Sequence, residues 1–197
     1  MVGYLPFFNP ATGEDIQYEL TERETGGALT RYRWRSVPGG RIVAHLHPHQ
    51  EEIFIIETGE AHFRVGGEEK IARPGDRLVI PKGVVHEEWN PTATPVTGVV
   101  ELRPALRARE LHEALAGIAA EGKTDSRGAP RDLLQLGTLF WGFREDIRAA
   151  SPPIALQNLF LPVLDALGRA LGYREFYARW ESRDPANPAV RASTRLP

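Results

Sequence analysis

Apolar and polar positions along this chain follow two different periods, and the change falls near Arg103-Pro104. Before it they alternate. In Arg31-Tyr32-Arg33-Trp34-Arg35 the alternation is strict, so a strand there has one cationic face and one aromatic face. Glu52-Ile53-Phe54-Ile55-Ile56 reads as a buried strand with a charged start, and Ala61 to Val65 predicts a strand that pairs back after a turn at Gly59. Arg77 to Ile80 predicts another, ended by Pro81 because proline cannot donate to a ladder. Glycines at Gly59, Gly66-Gly67, Gly75 and Gly83 punctuate these runs as hairpin turns would.

After Pro104 the apolar positions recur at helical spacing. Pro104 to about Glu121 predicts a first helix with a stripe of Leu106, Leu111, Leu115 and Ile118, stopped by Gly122. Gly122 to Ala129 reads as a polar linker. Pro130 opens a second helix, with Leu133, Leu136, Leu139, Phe140 and Phe143 on one face. Ser151-Pro152-Pro153 caps a third, from Ile154 to Leu171, ending at Gly172. The chain is therefore expected to divide into a strand-rich part (residues 1–103), a helical extension (104–182) and a disordered Pro-, Ala- and Arg-rich tail (183–197).

The third helix is the most apolar part of the chain. A membrane span needs about 20 predominantly apolar residues. Here Gln157, Asn158, Asp165 and Arg169 interrupt the run and Pro162 kinks it, so no span is expected. Burial against the strands or a second subunit is the favoured reading, with contact at a membrane surface left open. The helices would either cover one mouth of the strand domain or build the interface of a homodimer.

Composition narrows the function classes. A net charge of −2 over 197 residues argues against general binding to nucleic acid or an acidic membrane, and no basic stripe or DNA-reading helix is present. The first ten residues are broken by Pro6 and Pro10 and lack a basic start, so no signal peptide and a cytoplasmic location are expected. There is no cysteine, which removes thiolate ligands and disulfides.

The candidate chemistry lies in the strand-rich part. His45-Leu46-His47 has a period of two, which on a strand turns both imidazoles to one face, and Pro48 closes that strand. His86 follows a tight Pro81-Lys82-Gly83 turn that returns the chain to the interior. A single histidine among apolar residues is ordinarily a hydrogen-bonded core residue. Three buried imidazoles together would be costly without a partner, and with a carboxylate from Glu51 or Glu52 they make a ligand set for one metal ion.

These residues fall into two spaced patterns. Gly39, His45, His47, Glu52 and Gly59 fit G-x5-H-x-H-x4-E-x6-G, and Gly75, Pro81, Gly83, His86 and Asn90 fit G-x5-P-x-G-x2-H-x3-N. Complete and in order, they resemble the two motifs of the cupin superfamily over about Thr30 to Val100. The resemblance implies a mainly β fold, a small antiparallel β-barrel or jelly roll with a metal inside, followed here by about three helices. The six-residue spacing to Gly59 selects Glu52 over Glu51, giving His45, His47, Glu52 and His86 as ligands. Such a set suits one divalent Fe, Mn, Ni, Co, Cu or Zn ion. Four protein ligands in an octahedral site leave two positions for water, dioxygen or a chelating substrate.

The first functional expectation is a dioxygenase acting on a small organic substrate, with Glu52 also serving as a base. A non-oxidative isomerase, lyase or cyclase is the alternative, and a non-catalytic module for a small ligand or metal is a third. Tyr32, Trp34, Phe54, Ile56 and Phe63 are candidate pocket walls. The arginines at Arg31, Arg33 and Arg35 are expected in water, with inward anion binding as the alternative. Trp89 either covers the metal or packs outside it, and Glu87 and Glu88 are expected as rim charges. His49 is expected in solvent, His62 either lines the cavity or lies on the surface, and His112 is assigned no role.

Overall fold

The computed structural model describes residues 4–183 and 185–192. Chain order begins with β1 (Phe7–Asn9), β2 (Glu14–Leu20), a short α1 (Glu22–Thr25), β3 (Thr30–Ser36), β4 (Arg41–Leu46) and β5 (Glu51–Thr58). It continues through β6 (Ala61–Val65), β7 (Glu68–Ala72), β8 (Arg77–Ile80), β9 (His86–Trp89) and β10 (Val96–Arg103). The helical part holds α2 (Ala108–Ala120), α3 (Leu133–Gly142), a two-residue β11 (Arg148–Ala149), α4 (Ile154–Ala170), a 3-10 turn (Ala178–Trp180) and α5 (Pro188–Ala192).

The strands form two antiparallel sheets, ordered β1-β2-β3-β10-β5-β8 and β11-β4-β9-β6-β7. Their inner faces pack on each other as a jelly roll, and the two sheets do not close into one barrel. Parity sets the core. In β3, Tyr32 and Trp34 are buried while Arg31, Arg33 and Arg35 face outward and pair with Glu19, Glu101, Glu57 and Asp15. The outward reading of these arginines therefore holds.

The turn at Gly59 is not a hairpin. β5 pairs with β10 and β8, whereas β6 pairs with β7 and β9, so Gly59 carries the chain from one sheet to the other. The crossing is tight. Gly59 has φ of 77°, and a Cβ there would sit 2.7 Å from the Pro95 carbonyl oxygen.

Two helix starts also differ from expectation. The first helix begins at Ala108 rather than Pro104, because Ala105 is tied to the Gly27 carbonyl and Leu106 turns with φ of 44°. The second begins at Leu133, where the Asp132 carboxylate accepts from the N–H groups of Leu134 and Gln135. Pro130 instead bridges Thr124 within the preceding loop. The third helix agrees with expectation to within a residue and keeps Pro162 inside it.

Leu111, Ala114 and Ile118 of α2 build a second apolar cluster with Leu139, Phe143 and Trp180. Residues 188–192 are helical rather than disordered, and Ala189 is fully buried in the main core. Asp184 and residues 193–197 lie outside the described residues. No helix among the described residues is long and apolar enough to cross a membrane.

Candidate metal centre

Strand pairing explains how distant residues meet. β4 and β9 are neighbours in the smaller sheet, and His45 lies directly opposite His86. His47 follows at the end of β4 on the same side, and Glu52 reaches across from β5 in the facing sheet. The four side chains are buried, and one ligand atom from each lies within 4.8 Å of all the others. The imidazole ring centres are 4.2 Å apart for His45 and His86, 5.1 Å for His45 and His47, and 5.6 Å for His47 and His86. Glu51, half-buried, is not among them.

Each imidazole is oriented from behind. Nδ1 lies 2.9 Å from the Val43 carbonyl in His45, 2.6 Å from the Asp146 carbonyl in His47, and 3.0 Å from the Val84 carbonyl in His86. A carbonyl oxygen only accepts, so all three Nδ1 atoms carry the proton and donate it. In the neutral rings the Nε2 lone pairs are left to converge on the Glu52 carboxylate, 3.0 Å from His86 and 3.7 Å from His47. Without a cation these four acceptors repel one another, and a proton on His86 Nε2, donated to Glu52 over 3.0 Å, relieves only that one contact and leaves His86 an imidazolium. A divalent metal ion resolves this, and the set of three imidazoles and one carboxylate suits a transition metal.

The electrostatics follow from the same packing. Burial and the other two imidazoles hold His45 well below its ordinary pKa, and burial lowers His47. For His86, burial opposes the charge, but the hydrogen bond and charge of Glu52 outweigh it and raise the pKa. Burial likewise opposes ionisation of Glu52, yet the His86 hydrogen bond and the three imidazoles bring it down to about 2. Glu52 is thus an anion at every ordinary pH, as a metal ligand must be.

Beyond the ligands the interior holds two more carboxyl groups. Glu88 lies two residues past His86 and so shares its inward face, opposite the buried Phe63 on β6. One of its oxygens, Oε1, has no hydrogen-bond partner. Burial, then the charges of Glu14 and Glu52, push its pKa well above the carboxylate range. The expectation of a rim charge is corrected for Glu88. Glu87 lies on the outer face of β9, yet it too is buried, beneath Arg41 and Arg64 at 2.6 and 2.5 Å, rather than free at the rim.

Glu14, at the start of β2, accepts from the Trp34 indole and the Thr12 hydroxyl, both at 2.7 Å. Burial raises it to about 7 against those two hydrogen bonds, with the Glu52 charge adding to the rise. Parity carried the signal for both residues: Glu14 precedes buried Ile16 and Tyr18 at a period of two, as Glu88 follows His86.

The candidate pocket walls Tyr32, Trp34, Phe54, Ile56 and Phe63 are all buried in the core between the sheets. Phe54 stacks edge-on against Trp34 and Phe63, with ring centres 5.5 and 4.9 Å away. His62 and Trp89 pack on the outside, where His62 pairs with Glu60 at 2.8 Å. His49 is largely exposed and meets Glu145 at 2.8 Å. His112, left without a role above, is half-buried against Tyr18, whose hydroxyl lies 2.9 Å from its Nδ1, and desolvation lowers its pKa to about 4.

The cupin-domain family model matches residues 32–100, the span that holds all four ligands. The chain carries a cupin domain. Among curated proteins this cupin is similar to germin-like protein 3-5 of Oryza sativa subsp. japonica, 34% identical over 71 residues, or 32% of this chain and 31% of that protein. It is also similar to protein SchB of Streptomyces halstedii, 34% identical over 97 residues, or 48% of this chain and 65% of that protein. The chain thus spans under a third of the germin-like protein's length. Among solved structures, an RmlC-like cupin from Shewanella frigidimarina superposes with a TM-score of 0.45 at 20% identity, covering 53% of this chain and 87% of that one.

Proposed function

We propose that this cupin is a mononuclear metal enzyme of dioxygenase type acting on a small organic substrate, with His45, His47, Glu52 and His86 holding one divalent transition metal. The observation that carries the reading is the convergence of three Nε2 lone pairs and one carboxylate, each imidazole clamped by a backbone carbonyl. When bound, the metal would supply Lewis acidity and a redox centre. The protein would do the rest. The carbonyl clamps hold the imidazoles in one tautomer, and Phe54, Ile56 and Phe63 keep water from the interior. Glu52 would take a proton from the substrate when its grip on the metal loosens.

A second reading, a non-oxidative isomerase, lyase or cyclase, is favoured by one observation. Glu14 and Glu88 are inward carboxyl groups that metal binding does not require, and they would move protons in such a reaction. Elemental analysis of the isolated protein and of His47→Ala tests the common part. We expect about one metal per chain, lost in the variant; equal metal content in both would sink the site. Oxygen uptake by the Fe(II)-loaded protein with enol, diketone, flavonol and thiol substrates then separates the readings. Turnover with Zn(II) under argon would select the second, and no turnover with either metal would leave a binding module.

A further inference from the structure

Helix α4 presents two faces. Gln157, Leu161, Asp165 and Gly168 are buried, and the helix packs closely on α3: a Cβ added at Gly137 would strike Leu164, and one at Gly168 would strike Thr138. The opposite face consists of Ala155, Leu156, Leu159, Phe160, Val163, Ala166, Leu167, Ala170 and Leu171. At 100° per residue these nine fill an unbroken arc of about 160° centred on Val163, and none is charged or polar. All nine are exposed, Leu159 by 61%, Phe160 by 59%, Val163 by 58% and Leu171 by 70%.

The area is too large for an idle surface. With about 200 Å² for a fully exposed large side chain, the six large residues present roughly 700 Å². The largest apolar patch on a typical monomer is about 300–600 Å². A standard interface takes about 800 Å² from each partner, which this face reaches once its three alanines are added.

We propose that α4 is the interface of a homodimer, packed antiparallel on α4 of a second copy about a twofold axis at Val163. The pattern of side-chain sizes suits that arrangement at the centre and along one flank of the face. Leu156 and Ala170 stand seven residues before and after Val163 near the centre of the arc, so each Leu156 meets Ala170 of the second copy. Leu159, four residues before, and Ala166, three after, lie on the same flank and meet likewise. At the centre and on that flank large side chains thus face small ones, as ridges fit grooves; on the other flank Phe160, three before, and Leu167, four after, meet as a pair of large apolar side chains, and Val163 meets its own copy on the axis. A parallel pairing would set each leucine against itself. A bilayer fits the face less well, because interfacial helices border their apolar face with free Lys or Arg. The single cation of α4, Arg169, is held by Asp165 at 2.8 Å and Glu175 at 2.9 Å.

The absence of cysteine makes the test clean. Sedimentation of the metal-loaded protein at tens of micromolar should give twice the 21.9 kDa chain mass, and Leu159→Glu should give a folded monomer with unchanged metal content. Oxidation with diamide, which is reduced as two thiols join, should couple most of Val163→Cys into a covalent dimer. Leu171→Cys should stay uncoupled, since eight residues place its two copies about 24 Å apart. A monomeric parent, a Leu159→Glu variant that remains dimeric, or equal coupling of the two cysteine variants would each overturn the proposal. A monomer that co-sediments with phosphatidylserine vesicles would assign the face to a membrane instead.

Discussion

At the scale of single residues, Glu88 is the most informative departure from ordinary packing. A buried carboxyl with an unpartnered oxygen costs about 1–3 kcal/mol, and natural cores rarely keep such a group without use. Methionine has a similar volume and no such cost. Glu88→Met is therefore expected to raise the stability of the metal-free protein by about 1 kcal/mol in urea unfolding while abolishing turnover. If Glu88 were a structural residue, the substitution would lower stability instead. Glu14 differs, because Trp34 and Thr12 satisfy it and its removal would leave the indole N–H without an acceptor.

At the scale of elements, strand parity made much of the site legible and helix periodicity made less. The period of two in His45-Leu46-His47 turned both rings to one face, and the spacing of the second motif brought His86 beside them. Glu88 was legible by that same parity, yet two adjacent glutamates before a tryptophan read as solvated charge. The helix starts were less legible, since Pro104 and Pro130 are usual openers and only tertiary contacts displaced them. Least legible was the link between the halves. The loop after α3 supplies the Asp146 carbonyl to His47, and β11 extends the sheet beside His45. Nothing local to residue 146 announces a partner 99 positions away. The Asp146 side chain fixes that loop by accepting the Arg107 N–H at 2.7 Å. Asp146→Ala should loosen the carbonyl and weaken metal affinity about 10- to 100-fold, with all four ligands intact. Competition with a chromogenic chelator measures it, and an unchanged affinity would show that the clamp does not orient His47.

At the scale of the whole molecule, the ligand set couples the two sheets. His45, His47 and His86 belong to the smaller sheet and Glu52 to the larger, so a metal held by all four bridges the sandwich. The helical part joins the same centre through Asp146. Binding that requires the folded arrangement stabilises it by RT ln(1 + [M]/Kd), about 4 kcal/mol at a thousandfold excess over Kd. Stripping the metal should thus lower the thermal midpoint by roughly 10 °C, given about 2–4 °C per kcal/mol for a chain of this size. His47→Ala should melt at one temperature with or without added metal. The drop should appear both in the protection of β4 and β9 amides against hydrogen exchange, which reports on the sheets, and in the far-UV helical signal from α2–α4. A sheet transition that moved with metal while the helical signal stayed put would mean that the Asp146 link does not couple the helices to the centre.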